Sequence, residues 1–276
     1  MLSGMKPRSL ILDIFGDYLG VIGPEVRAGD LVAMLSALGV EPATTRMTLS
    51  RLRQEGWFTT TRVGRETLYR LSDQMLEILE EGRGRIFAEY QEEWDGWWTQ
   101  MVFQLPESDR SVREQLKKRL AWLGFGPLTP STWLSPRRQK QHIVDLRSEF
   151  PTVEIDALES RTDDVGEDRS LARRCWDLEG INADYIDFIA GHRRLVARTS
   201  LRDDRAAFAA RTELISTYRH FPFRDPSLPR DLRPKEWRGR DAHVLFLEIH
   251  DALGPRADAH VADLVGSRMP VDASTA

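Results

Sequence analysis

The residue type most able to do chemistry in this chain is arginine, and it is unevenly placed. Residues 43–72 hold Arg46, Arg51, Arg53, Arg62, Arg65 and Arg70 against only Glu55 and Glu66, a local charge of +4. At about 100° per residue, a helix here turns Thr45, Thr48, Leu49 and Leu52 to one side, where they would pack inward. Ala43, Met47, Ser50 and Gln54 fall opposite, with Thr44 and Arg51 along one edge of that strip and Arg46 and Arg53 along the other. Small or uncharged side chains bordered by guanidiniums suit the major groove of DNA: the strip reaches base edges while the arginines bond phosphates. The N-terminal half of such a helix goes deepest, which makes Thr44, Met47 and Ser50 the candidates for base contact. Arg62 and Arg65 stand at or beside the tip of a following hairpin, where their charges gain little stability and would meet an anion brought to them. The plainer use of such a helix is an amphipathic one whose arginines bond neighbouring acids, and one of Arg46, Arg51 and Arg53 is expected to be such a brace.

A second basic stretch, residues 107–147, has nine Lys and Arg against four acids, a local +5, and residues 153–188 follow with four Arg against eleven acids, a local −7. The whole chain nets −4, which argues against a sequence-independent nucleic-acid coat. Trp133, near Arg137-Arg138-x-Lys140, could line a pocket for an aromatic anion, with Arg113, Lys117, Lys118 and Arg119 to hold phosphates. Core and interface packing is the plainer use of the eight tryptophans, of which Trp94, Trp97 and Trp98 cluster and Trp122 and Trp133 follow. The other chemistries find no purchase. His142, His192, His220, His243, His250 and His260 show neither His-Glu-x-x-His nor a compact ligand spacing, and read as structural. Gly82-Arg83-Gly84 lacks the Lys-Ser/Thr of a phosphate loop, and no Gly-x-Ser-x-Gly elbow occurs. Cys175, the only cysteine, stands beside Trp176 and reads as a small buried hydrophobe, with no disulfide framework within the chain. The expectation is no catalytic residue, no metal and no cofactor; the protein is not an enzyme.

The elements that must position these residues follow from periodicity. Pro7-Arg8-Ser9 opens a helix with Leu10, Ile11, Ile14, Phe15, Tyr18 and Leu19 on one face; Gly20 to Pro24 breaks it. A second helix carries Leu31, Met34, Leu35 and Leu38 up to Gly39, and a third runs from Glu41-Pro42 to Gly56. Trp57 to Arg62 and Thr67 to Leu71 read as strands, and a connector helix covers about 74–90. Three helices then a hairpin is the order of a winged helix-turn-helix. Next come a strand at 97–105, a helix at 112–123, an extended stretch at 128–134, a helix at 137–150 and a strand at 153–160. That order suggests a ferredoxin-like α+β domain with one strand unrecognised. The remainder is helical pattern interrupted by a proline-rich stretch from Phe221 to Pro234, with a frayed tail after Met269. The 276 residues thus divide into a DNA-binding domain with connector at 1–90, an α/β domain at 91–162 and a helical domain at 163–276. In the last, Ala206 to Tyr218 and Ala242 to Leu253 are the most apolar stretches otherwise unclaimed and are assigned to a homodimer contact. At 41% hydrophobic and 30% charged, with no spanning segment and no secretory signal, the chain is expected to be soluble and cytoplasmic.

In this order the segments resemble the PaaX family of bacterial repressors of phenylacetic acid catabolism, over about residues 6–255. The likeness rests on Pro7-Arg8-Ser9-Leu10-Ile11-Leu12 with Gly16-Asp17-Tyr18, and on Arg51-Leu52-x-x-Glu55-Gly56-Trp57 with Gly64-Arg65 and Tyr69-Arg70-Leu71. Trp122-Leu123-Gly124-Phe125-Gly126-Pro127-Leu128-x-Pro130-x-x-Trp133-Leu134-Ser135-Pro136 carries it through the middle. Trp176-Asp177-Leu178, Tyr185-x-x-Phe188 and Tyr218-Arg219-x-Phe221-Pro222-Phe223-x-Asp225-Pro226-x-Leu228-Pro229 complete it. The resemblance implies a winged helix, a ferredoxin-like middle domain and a helical C-terminal domain, in a dimeric repressor released from double-stranded operator DNA by an aryl-coenzyme A thioester such as phenylacetyl-coenzyme A. The family's middle domain is also similar to the small nuclease of CRISPR adaptation, which has an aspartate closing its first strand. Here that strand ends Val102-Phe103-Gln104-Leu105-Pro106, and Glu107 and Asp109 come later. A metal-dependent nuclease or RNA-handling protein built on the middle domain is therefore the rival reading, weakened by the missing ligand.

Overall fold

Pro7 occupies a first-turn position, where its missing N–H has no helical partner to lose, and opens α1 (Pro7–Ile22). Leu10, Ile11, Ile14, Phe15, Tyr18 and Ile22 form the buried face, and two carboxylates, Asp13 and Asp17, are buried with them. A computed structural model describes residues 5–88, 93–106, 108–196 and 203–266. After α1 come β1 (Glu25–Arg27), α2 (Ala28–Ala37), α3 (Pro42–Gln54), β2 (Phe58–Val63), β3 (Glu66–Leu71) and α4 (Asp73–Ile86). The strands form one antiparallel sheet in the order β1-β3-β2, with Val26 opposite Tyr69 and Phe58 opposite Leu71. Gly64 turns the β2–β3 hairpin with φ of 60°, a conformation that costs glycine nothing. The connector helix ends at Ile86, and its expected last two residues, 89 and 90, lie outside the described ones.

A second sheet is built from β4 (Trp98–Gln104), β5 (Gly126–Thr129), β6 (Thr132–Ser135) and β7 (Glu154–Ser160), with α5 (Arg110–Trp122) and α6 (Lys140–Glu149) between them in sequence. Its strand order is β5-β6-β4-β7, antiparallel throughout. The expected single extended stretch at 128–134 is a tight hairpin: Thr129 Oγ1 accepts the N–H of Thr132 at 3.0 Å, and Pro130 lies in the turn. The helix expected from Arg137 begins only at Lys140, because Thr99 Oγ1 binds the Arg137 carbonyl at 2.7 Å and holds the preceding backbone extended. Leu116 and Leu120 of α5 and Ile143 and Leu146 of α6 cover Met101, Phe103, Trp133 and Ile155. Side chains alternate along a strand, so Trp98 and Leu134 face the other way. There they meet Ala172 and Cys175 of α7 (Val165–Cys175), with Leu228 and Leu232. Gly126 is required on this side, since a Cβ there would run into the Trp176 indole.

The rest of the chain is α8 (Leu178–Val196), α9 (Asp204–Tyr218), α10 (Phe221–Arg224), a 3-10 turn at Arg230–Leu232 and α11 (Gly239–Gly266). By packing, the chain groups into two units, each drawn from more than one stretch of the sequence. One unit is drawn from 1–88, 188–219 and 243–276, the other from 89–187 and 220–242. Phe208 of α9 and Ala257 and Val261 of α11 lie in the same core as Leu10, Ile14 and Tyr18 of α1. The same packing takes up the apolar faces of the stretches expected at a dimer contact. Phe208, Leu214, Ile215 and Tyr218 of α9 and Phe246, Ile249 and Leu253 of α11 are already buried within the chain. Their apolar character is explained by that packing. Helix α11 also runs on through Pro255. The tail after Met269 lies outside the described residues.

A polar seam joins α1 to α9 and α11 inside the first unit. Asp17 Oδ2 lies 2.8 Å from Arg211 Nε, with the two side chains 1% and 6% exposed. Arg211 Nη1 reaches Asp258 at 2.7 Å, and His250 Nε2 lies 2.8 Å from Asp17 Oδ1. One helical turn earlier, Arg219 Nε lies 2.6 Å from Asp13, and its Nη2 donates to Ser9 Oγ at 2.5 Å. Burial raises the Asp13 carboxyl to about 6, against the pull of Arg219 in the other direction.

Candidate nucleic-acid interface

Helix α3 is held by its inner side. Thr45, Leu49 and Leu52 are buried, and Thr48, half-buried, bonds back to the Thr44 carbonyl at 2.8 Å. The opposite strip is open: Ala43, Met47 and Gln54 are exposed, Met47 by 68%, while Thr44 and Ser50 are half-exposed. Of the arginines beside the strip, Arg51 is the brace, with Nε 3.1 Å from Glu55 Oε1. Glu55 also takes Arg8 at 2.6 Å, and the Arg8 guanidinium lies 4.0 Å above the Trp57 ring. Arg51 nevertheless remains largely exposed. Arg46 and Arg53 are exposed and make no ion pair among the described residues. So are Arg62, at the end of β2, and Arg65, in the turn after Gly64. Farther from the tip, Arg70 faces Glu25 at 3.8 Å, while Glu66, the first residue of β3 after the turn, pairs with Arg27 at 3.1 Å. Among the described residues, Arg46, Arg53, Arg62 and Arg65 thus present guanidiniums that no carboxylate pairs.

The second basic stretch is built differently. Arg113 Nη2 donates to the Leu105 carbonyl at 3.2 Å, Lys117 pairs with Glu114 at 3.2 Å, and Arg119 pairs with Glu149 at 3.2 Å. Arg137 is half-buried and donates to the Ser227 carbonyl at 2.9 Å; burial lowers its pKa. Arg138 bridges Asp95, at 2.9 Å, and Glu159. Lys118 is exposed without an ion pair among the described residues, and the charge of Lys140 acts on Glu159. Trp133 is 6% exposed in the core beneath α5 and α6, so it does not line an open pocket beside these cations. The fold gives Arg113, Lys117, Arg119, Arg137 and Arg138 separate structural partners and leaves Lys118 in solvent.

Gln104, with no carboxylate, closes β4 opposite Glu154; Asp109 stands at the start of α5, and Glu107 lies outside the described residues. Cys175 is buried, which pushes its thiol up to about 12 and leaves it protonated. His243 Nδ1 lies 2.9 Å from the Tyr218 hydroxyl, and His192 Nδ1 lies 2.9 Å from the Phe188 carbonyl. Among the described residues, no helix is long and apolar enough to cross a membrane.

Three sequence models of one family match the chain in succession: PaaX-like protein over residues 6–75, PaaX protein central Cas2-like domain over 91–172, and PaaX-like protein C-terminal domain over 176–263. The chain is also 34% identical, over 264 residues, to the transcriptional repressor PaaX of Escherichia coli K12, covering 92% of this chain and 83% of that protein. The chain belongs to the PaaX family. A solved structure of an uncharacterized protein from Mycobacterium tuberculosis resembles this PaaX-family chain with a TM-score of 0.57, over 92% of this chain and 98% of that one. At 22% identity that likeness speaks to the fold.

Several residues that carry the resemblance to the PaaX family have structural work here. Ser9 and Asp17 serve the α1 seam, Glu55 gathers Arg8 and Arg51, and Arg219 binds Asp13. Tyr185 donates to Asp225 at 2.8 Å and stacks on Phe221 with ring centroids 4.2 Å apart. The pairing of Asp13, Asp17, Arg211 and Asp258 was not foreseen from the sequence. A carboxylate at two positions of an otherwise apolar helix face was the signal, since a buried charge requires a partner.

Proposed function

We propose that this PaaX-family chain is a cytoplasmic transcriptional repressor that binds double-stranded operator DNA through α3 and the β2–β3 hairpin, as a winged helix-turn-helix, and controls genes of phenylacetate-type aromatic-acid catabolism. The order α1-β1-α2-α3-β2-β3 with the sheet order β1-β3-β2 supports the winged-helix reading. The antiparallel sheet β5-β6-β4-β7, with α5 and α6 on one face, supports a ferredoxin-like reading of the middle domain. The observation that carries the functional reading is the open α3 strip edged by Arg46 and Arg53, with Arg62 and Arg65 free at the hairpin tip. It gains weight from 34% identity to a protein named as a transcriptional repressor.

One α3 spans only a short half-site, so useful specificity calls for two copies acting on half-sites about 34 Å apart or a multiple of it. The reading therefore includes a homodimer, with a contact other than the buried faces of α9 and α11. It also includes release by an aryl-coenzyme A thioester, a part that draws on the family resemblance. A switch from 1:99 to 99:1 needs about 5.5 kcal/mol of preference for the released form, which a ligand with many contacts supplies more readily than a small acid. Selection from a random pool of DNA duplexes tests the reading. The expected product is one sequence with two related half-sites, released by phenylacetyl-coenzyme A and not by phenylacetate or coenzyme A alone. A pool that never enriches would overturn the DNA-binding reading; release by phenylacetate alone would overturn the effector.

A further inference from the structure

We infer that Met47 reads the C5 methyl group of a thymine in the operator, an inference that rests on the DNA-binding reading above and gives it a base. Met47, 68% exposed, is the most exposed of the large apolar side chains described. Single exposed apolar residues are ordinary, and exposure alone assigns nothing. The surroundings do. Thr45, Leu49 and Leu52 fix the opposite side of α3 in the core, so the helix cannot roll to bury Met47. Thr44 and Ser50, three residues before and after, continue the same strip, and the unpaired Arg46 and Arg53 border it. Phosphates bonded by those arginines would bring a groove floor against the thioether.

A thioether has no hydrogen to donate and its sulfur accepts only weakly, so Met47 is a poor reader of the polar pattern of base edges. The apolar group that the major groove offers is the thymine methyl. A flexible, polarizable, unbranched side chain adapts well to such a surface. Opposite an unmethylated cytosine or a purine, the same side chain would strip water from a polar edge without replacing its hydrogen bonds. Methionine at this position thus selects for thymine and disfavours the bases that lack its methyl group.

The test uses the full chain and the duplex selected above, with each thymine replaced in turn by deoxyuridine, which removes only the methyl. At one thymine in each half-site, the replacement is expected to weaken binding about fourfold, the weight of one buried methyl. Met47→Leu should keep that sensitivity. Met47→Ala should lose it while still selecting the remaining positions of the site. Where thymine is changed to cytosine at that position, 5-methylcytosine should recover binding that cytosine loses. Equal affinity for uracil at every position, or unchanged sensitivity in Met47→Ala, would overturn the inference while leaving DNA binding intact. A chain that selects no duplex overturns both, and the two failures are distinct.

Discussion

Along the seam between α1, α9 and α11, Arg211 is buried between two carboxylates and the half-buried Arg219 pairs with Asp13; along α3 and the hairpin, Arg46, Arg53, Arg62 and Arg65 stand in solvent with no carboxylate pairing them among the described residues. Both regions belong to the same unit. In the first, each guanidinium closes a contact between distant parts of the chain, as Arg211 does to Asp17. In the second, the charges do nothing for the fold that a neutral side chain would not. Most cations of the basic stretch at 107–147 lie on the structural side of this contrast, although its local charge is the larger of the two basic stretches. Charge density along a sequence therefore does not say which cations are available to a ligand; pairing in the fold does.

The contrast is broken most forcefully at Arg211. Arg211→Met removes the buried guanidinium beside a carboxylate that is 1% exposed and leaves His250 as its near neighbour; it is expected to destabilise the protein by about 3–5 kcal/mol, as breaking a buried pair does. Arg46→Ala, on the open strip, should change stability by less than about 0.5 kcal/mol. Urea midpoints of the two variants check this. Equal shifts would show that the two kinds of arginine do not differ.

A smaller effect sharpens the seam itself. Burial raises Asp13 from its ordinary 3.8 to about 6, so between those values the folded chain keeps a proton that the unfolded chain has lost. The native state binding more protons means that stability falls as pH rises. The contribution of Asp13 is full below 3.8 and is lost as pH passes through about 6. Asp13→Asn cannot titrate. Its melting temperature, compared with that of the parent protein at pH 4.5 and 7.5, should therefore improve relative to the parent on going to the higher pH. A constant difference would mean that the carboxyl titrates normally. The smallest effects belong to the exposed pairs of the second stretch. Lys117→Ala and Arg119→Ala should each cost less than about 1 kcal/mol and leave affinity for DNA unaltered; a loss of DNA binding in either would move the interface to the other unit.

What the sequence made legible was local. The inner face of α3, the hairpin and the brace among its arginines follow from spacing between residues a few positions apart, and the structure has Thr45, Leu49, Leu52 and Arg51 accordingly. β1 escaped because three residues, Glu25 to Arg27, are too few to display alternation. The seam escaped because Asp17 and Arg211 are 194 positions apart, and no periodicity links them. Ala206 to Tyr218 read as a surface for a partner because its apolar face had no visible owner; the owner was α1 at the other end of the chain. The burial of Trp133 was hidden for a related reason, since proximity in sequence to Arg137 and Arg138 masked the alternation that sends its ring into the core.

The central claim is that the free arginines of α3 and the hairpin form the face that meets DNA. The salt dependence of binding tests it most directly, because each phosphate contact adds about 0.9 to the slope of log affinity against log salt concentration. The parent protein and a variant with Arg46, Arg53, Arg62 and Arg65 all changed to Ala should be titrated against the selected duplex across a range of salt. The variant is expected to be as stable as its parent, to bind more weakly at low salt, and to have a slope shallower by about 3–4 for each copy bound. A variant with the parent's slope and affinity would contradict it.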